Sequence, residues 1–150
     1  MSAELLFQLS FYLAAPFWAL MILAPTWGWT RRIIGSPLIV LPALAVCLVL
    51  YLPVFGAVWT LVLQPTLPGL RELVASPEAL AGLWAQVIAW DLLVGRWVYL
   101  DSRQRRIHPL LMAPILVFTV LLSPFALPVY FVVRSFFAAA PATEPEPVTV

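Results

Sequence analysis

The sequence predicts an all-α integral membrane bundle of four transmembrane helices, and three observations carry that prediction. Of the 150 residues, 63% are hydrophobic and 10% charged, against roughly 45–50% and about 25% in a soluble domain. The mean hydropathy is +1.01. The apolar residues gather into four runs long enough to cross a hydrocarbon core of roughly 30 Å at about 1.5 Å per residue. Those runs are continuous rather than alternating and about twice the length of a barrel strand, which excludes a transmembrane barrel.

The spans run from about Leu5 to Ala24, Pro37 to Leu63, Ala79 to Leu100 and Pro109 to Val133. Residues 1–134 are thus expected to form the transmembrane domain, and residues 135–150, rich in proline and glutamate, a disordered tail. The first span has no positive segment before it and no clean small-residue cleavage site after it, so it is expected to be retained rather than removed as a signal peptide. Pro16, Pro42, Pro53, Pro114, Pro124 and Pro128 fall inside spans one, two and four, where each removes a backbone hydrogen bond and bends or breaks its helix. The third span has the best-marked start. Ser76-Pro77-Glu78 supplies a capping hydroxyl, a proline for the first helical position and a carboxylate at the positive end of the dipole. Between spans two and three, Gln64 to Ala75 is expected to lie along the membrane surface.

All eight basic residues are arginine. Arg31 and Arg32 separate spans one and two, and Arg103, Arg105 and Arg106 separate spans three and four. Arg71 and Arg134 fall on the other side. The arginine bias puts the two short arginine loops in the cytoplasm and both termini outside it. Trp18, Trp27, Trp29, Trp59, Trp84 and Tyr99 lie near span ends, where interfacial aromatics belong.

Composition excludes several functions. A net charge of +1 with no basic patch clear of the apolar runs excludes nucleic acid as a partner, and a single cysteine excludes a disulfide scaffold. Cys47 reads as a small packing residue inside span two. His108, the only histidine, has no Cys or carboxylate cluster around it, so no metal is expected. There is no phosphate-binding glycine loop, nucleophile elbow or haem-attachment motif.

What remains is charge inside the third span, where each ionised group costs at least about 2.5–3.5 kcal/mol and calls for a partner or a function. Asp91 falls near mid-span. Arg96 is five residues later, about 140° around the helix and roughly 7.5 Å nearer the cytoplasm, and Asp101 is rotated as much again. Trp84, Val87, Asp91, Gly95, Val98 and Ser102 form one stripe; Gln86, Trp90, Leu93, Trp97 and Asp101 form another. Asp91 reads either as an intramembrane acid or base or as a hydrogen-bonded carboxyl that fixes helix packing. Arg96 reads as snorkelling, as pairing with Asp101 or a carbonyl, or as touching substrate. Trp90 and Trp97 read as packing or lipid-facing aromatics, or as flat surfaces for a polyene or an acyl chain.

The run Pro16-Phe17-Trp18-Ala19-Leu20-Met21-Ile22-Leu23-Ala24-Pro25, the entry Ser76-Pro77-Glu78 and the stretch Asp91-Leu92-Leu93-Val94-Gly95-Arg96-Trp97-Val98-Tyr99-Leu100-Asp101 resemble the neoxanthin synthase (abscisic acid deficient four) family of plants and its bacterial relatives. The resemblance covers about Phe11 to Arg134. It rests chiefly on the Asp-x4-Arg-x3-Tyr-x-Asp pattern within a membrane helix. It implies a four-helix protein that binds or isomerises an oxygenated carotenoid. In plant members the epoxide of violaxanthin becomes the allene of neoxanthin, which needs an acid and a base but no redox cofactor.

On that resemblance Asp91 and Arg96 are the catalytic candidates, and Gln86, Trp90, Trp97 and Asp101 the substrate-binding ones. No cofactor is implied beyond a bound carotenoid. Plant members carry a histidine in the Trp-x-His stretch of this helix, where Trp84-Ala85-Gln86 places a glutamine that does not titrate. The expected setting is a bacterial inner membrane, cytoplasmic or photosynthetic, with lipid, carotenoid and a homo-oligomer or larger membrane complex as partners. A high-GC bacterial coding bias also accounts for the absence of lysine. Two other classes stand beside this reading. One is a non-catalytic small subunit or assembly factor of a pigment or respiratory complex; the other is a proton-coupled transporter built around Asp91.

Overall fold

A computed structural model describes residues 2–137; the expected Pro/Glu tail beyond residue 137 lies outside them. Among the described residues the fold is wholly helical: α1 (Ala3–Leu23), α2 (Gly28–Gly35), α3 (Leu41–Tyr51), α4 (Phe55–Leu63), α5 (Leu67–Val74), α6 (Pro77–Gln104) and α7 (Pro109–Ser135). Short 3-10 turns at Pro37–Val40 and Leu52–Val54 precede α3 and α4. Four segments are long and apolar enough to cross a membrane: Ala3–Leu23, Pro37–Leu63, Pro77–Gln104 and Pro109–Ser135.

Local chemistry explains the boundaries. The Ser2 hydroxyl accepts from the Leu5 amide and opens α1, the Thr66 hydroxyl accepts from Gly69 and opens α5, and Ser76 accepts from Ala79 and opens α6. Pro53 lies in the 3-10 turn that separates α3 from α4, so the second span is bent there. At the end of α6, Arg106 adopts a left-handed φ of 55° and the Ile107 amide reaches back to the Ser102 carbonyl, which closes the helix and turns the chain into α7.

The centre of the bundle is the pair α1 and α6, each of which also packs against α3 and α7. Two glycines of α6 make these approaches possible. A Cβ at Gly95 would overlap the Trp18 indole of α1, and one at Gly82 would lie 2.8 Å from Cε1 of the Tyr51 ring of α3. The larger core joins Trp18, Met21, Ile34, Leu92, Val98, Tyr99, Leu116 and Tyr130; a smaller one joins Leu6, Val46, Cys47, Leu50 and Ala85. By contrast, α4 contributes no buried residue.

The fourth apolar segment is folded back on itself. At Leu122 the backbone leaves helical geometry (φ −149°, ψ 60°), and residues 109–121 and 123–135 are separate half-helices. Pro124, two residues on, lacks the amide that would bond the Val120 carbonyl, and its ring would collide with that carbonyl in a continuous helix. The ends of the segment establish the reversal. Pro109 follows directly from the end of α6, yet at its other end Arg134 donates to Asp101 of α6 at 2.8 Å, and the Phe137 carbonyl accepts from Arg105 Nη1 at 2.7 Å. A straight helix of 27 residues would hold its ends roughly 40 Å apart.

The second half therefore runs parallel to α6: Trp97 meets Tyr130 and Phe131, Asp101 meets Arg134, and Arg105 meets Phe137. Residue 137 consequently lies at the arginine end of the bundle. Ala3 and Glu4 sit beside Pro77 at the other end. The expectation that both termini share one side rests on the fourth run crossing once, and the described part of that run, up to residue 137, instead returns to the arginine end.

Candidate functional site

The tip of the folded segment meets the middle of α6. There Gln86, Trp90 and Asp91 line a groove of about 520 Å³ with Leu122, Ser123 and Phe125. The groove is otherwise apolar and opens on the outside of the bundle, with Trp90 62% exposed. Asp91 is half-buried, and the nearly buried Ser123 hydroxyl faces its carboxyl across the groove. Among the described residues no arginine pairs with Asp91; both ion pairs belong to Asp101. The Tyr51 hydroxyl donates to Gln86 Oε1 at 3.1 Å, which leaves the amide NH₂ of Gln86 to act as a donor in the groove.

The half-helix after Leu122 begins with Ser123-Pro124, so its unbonded amides and the positive end of its dipole lie beside the same carboxyl. Non-helical backbone at membrane depth is tolerated where it is covered by protein or lines a cavity, and here it lines the groove. The arrangement thus collects a carboxyl, a hydroxyl, an amide donor and a half-helix terminus in an apolar wall. Such a set can hold an oxygen function and exchange one proton with it.

The six residues singled out in the sequence separate into two places. Gln86, Trp90 and Asp91 come together at the groove, taken from both of the stripes read along α6. Arg96, Trp97 and Asp101 do not join them. Arg96 donates through Nε to the Ile34 carbonyl at 2.8 Å and through Nη2 to the Gly35 carbonyl, satisfying the end of α2. Asp101 lies ten residues beyond Asp91, roughly 15 Å along the helix. Its Oδ2 accepts from Tyr130 Oη at 2.6 Å, Arg134 Nε at 2.8 Å and Arg105 Nε at 2.9 Å. Trp97 stands edge-on to Tyr130 with ring centroids 5.6 Å apart, and the Arg134 guanidinium lies 5.7 Å from the Trp97 ring centroid.

Sequence reasoning missed Ser123, Leu122 and Tyr51. For Ser123 a signal existed: Ser36-Pro37, Ser76-Pro77 and Ser123-Pro124 all carry the serine-proline pair that opens a helical segment. No group of three or more His, Cys, Asp or Glu side chains able to hold a metal occurs among the described residues.

In comparison with known protein families, the ABA DEFICIENT 4-like family matches residues 5–130. The chain belongs to that family. No curated protein and no solved structure matches it. The matched residues run from Leu5 in α1 through α6 to Tyr130 in α7, so the groove of this ABA DEFICIENT 4-like protein lies wholly inside the family region.

Proposed function

We propose that this membrane protein takes an oxygenated carotenoid sideways from the lipid into the α6–α7 groove and catalyses its isomerisation through Asp91. The reading is supported above all by a carboxyl without an ionic partner that faces a lipid-open apolar groove at the break in α7. A polyene rod suits the apolar walls and the exposed Trp90 ring, and its oxygenated end suits Ser123 and the Gln86 amide. The polar end would have to reach mid-bilayer, about 15 Å below the headgroups, which favours a ligand that tilts or slides within the membrane over one that spans it.

The chemistry balances with one carboxyl. Protonated Asp91 gives its proton to the epoxide oxygen as the ring C–O bond opens. The resulting carboxylate removes a proton from the polyene, whose C–H electrons form the new double bond. Substrate and product are isomers, and Asp91 ends as it began. Ser123 and Gln86 position the oxygen by hydrogen bonding. Neither Arg96 nor Asp101 takes part, because each is engaged elsewhere.

The test is pigment analysis of the purified protein and of cells carrying it, with Asp91→Asn beside the wild type. The substitution keeps size and hydrogen bonding but cannot transfer the proton. Co-purifying polyene absorption with a pigment profile that changes in D91N supports the reading. Pigment that binds while the profile stays the same in D91N leaves a binding module and removes the acid–base step. Absence of any polyene absorption overturns the proposal.

A further inference from the structure

The end of the bundle where α1, α6 and α7 finish holds more positive charge than its carboxylate can neutralise. Asp101 engages Arg105 and Arg134. Arg31, Arg32, Arg103 and Arg106 are at the same end and have no carboxylate partner among the described residues. Among the described residues, the acids outside α6's interior lie at the opposite end: Glu4 near Pro77, Glu72 near Ser76, and Glu78 hydrogen-bonded to Ser76.

This positive surface is also held in place by hydrogen bonds. Helix α2 and the turn that leads into it are held by four bonds: Thr30 Oγ1 to the Ala24 carbonyl at 2.8 Å, Tyr99 Oη to the Pro25 carbonyl at 2.8 Å, and Arg96 Nε and Nη2 to the Ile34 and Gly35 carbonyls. Its buried side is Thr30 and Ile34. What it presents outward is Trp29, 57% exposed, with Arg31 and Arg32, and the Arg32 guanidinium lies 5.5 Å from the Trp29 ring centroid. Helix α2 packs on α6, and the Arg96 bonds to the Ile34 and Gly35 carbonyls hold the two helices side by side at the end that carries Arg31, Arg32 and Arg103.

We propose that this end is a docking surface for anionic phospholipid, with the headgroup phosphate held among Arg31, Arg32 and Arg103 and with Trp27 and Trp29 at the level of the glycerol backbone. Three features favour lipid. Guanidinium groups recognise phosphate through fixed forked donors. Clustered arginine beside a membrane helix attracts anionic headgroups. Exposed tryptophans next to those arginines place the surface at the membrane interface rather than in bulk water. The proposal stands on the membrane reading alone and is independent of what the α6–α7 groove binds.

The full-length protein in nanodiscs of mixed phosphatidylcholine and phosphatidylglycerol, followed by native mass spectrometry of the lipids it retains, tests this directly. Phosphatidylglycerol is expected to be enriched over phosphatidylcholine. Each of Arg31→Gln, Arg32→Gln and Arg103→Gln is expected to lower that enrichment about fivefold, with Arg71→Gln at the opposite end leaving it unchanged. Equal retention of the two lipids in the wild type overturns the proposal, as does an R71Q effect equal to that of the other three.

Discussion

Arg134 Nε donates to Asp101 Oδ2 at 2.8 Å, and Nη2 of the same guanidinium reaches Oδ1 at 3.2 Å, although 33 residues and a chain reversal separate the two. This forked contact pins the returning half of α7 against the end of α6, with Tyr130 and Arg105 sharing the carboxylate. It also moves Arg134, expected from the sequence on the side opposite the arginine loops, to the arginine end. Asp101 is 13% exposed at its side chain, so its donors have little water to replace it.

Asp101→Ala therefore strands several donors at once. The fully buried Tyr130 hydroxyl loses its acceptor, a cost of about 1–3 kcal/mol before either arginine is counted. The variant is expected to melt well below the wild type in detergent, and to lose more stability than Asp91→Asn, whose carboxyl has no ionic partner to strand. Equal melting temperatures for the two variants would show that the clamp contributes little.

The reversal at Leu122 makes a topological prediction. With Cys47 replaced by serine, single cysteines at positions 2, 32 and 137 can be labelled from either side of sealed vesicles by an impermeant thiol reagent. Positions 32 and 137 are expected to react from one side and position 2 from the other. Labelling of 2 and 137 from the same side would mean that the fourth run crosses the membrane whole. The reversal also strengthens the charge asymmetry, since Arg134 joins the arginine end and Arg71 alone stays opposite.

The helical class and the four apolar segments were legible because hydrocarbon thickness acts directly on composition and run length. The start of α6 was legible because Ser76, Pro77 and Glu78 are local capping chemistry. The reversal of α7 was not, because 27 apolar residues satisfy one full crossing and one folded hairpin equally well. Pro124 announced a bend, but its size is set by Asp101 and Tyr130, contacts distant in sequence. The same limit applied within the site. Periodicity on α6 placed Gln86 and Asp91 on different stripes, yet the groove is wide enough to take both, and its other wall comes from Ser123. Arg96 was legible as needing a partner, while the carbonyls of Ile34 and Gly35 that serve it depend on how α2 folds over the bundle.

Gly95 permits the contact between α1 and α6, so Gly95→Ala is expected to destabilise the bundle by about 1–3 kcal/mol as the Trp18 indole is forced aside. Gly28→Ala is the control, since nothing lies within 4 Å of a Cβ there. Combining Gly95→Ala with Trp18→Leu is expected to be less damaging than the two single losses added together, because the shortened side chain removes the clash. Additive losses in thermal unfolding would mean that the clash at this crossing is not what the alanine costs.

Arg96 and Asp91 separate structural from chemical roles. Arg96→Gln removes the charged donor that serves the last carbonyls of α2, an interaction worth about 1.5–3 kcal/mol when the donor is ionised. Its expected consequences are faster proteolysis or hydrogen exchange in residues 28–36 and a lower melting temperature. Arg96→Lys keeps the charge but cannot present two donors in the same forked plane, so it is expected to fall between. Neither variant is expected to alter the pigment profile of cells once corrected for the amount of folded protein, whereas on the proposed function Asp91→Asn is expected to alter the profile with little loss of fold. If Arg96→Gln changes pigment chemistry as strongly as Asp91→Asn at equal protein level, Arg96 acts on the reaction and the groove does not contain the whole of the machinery.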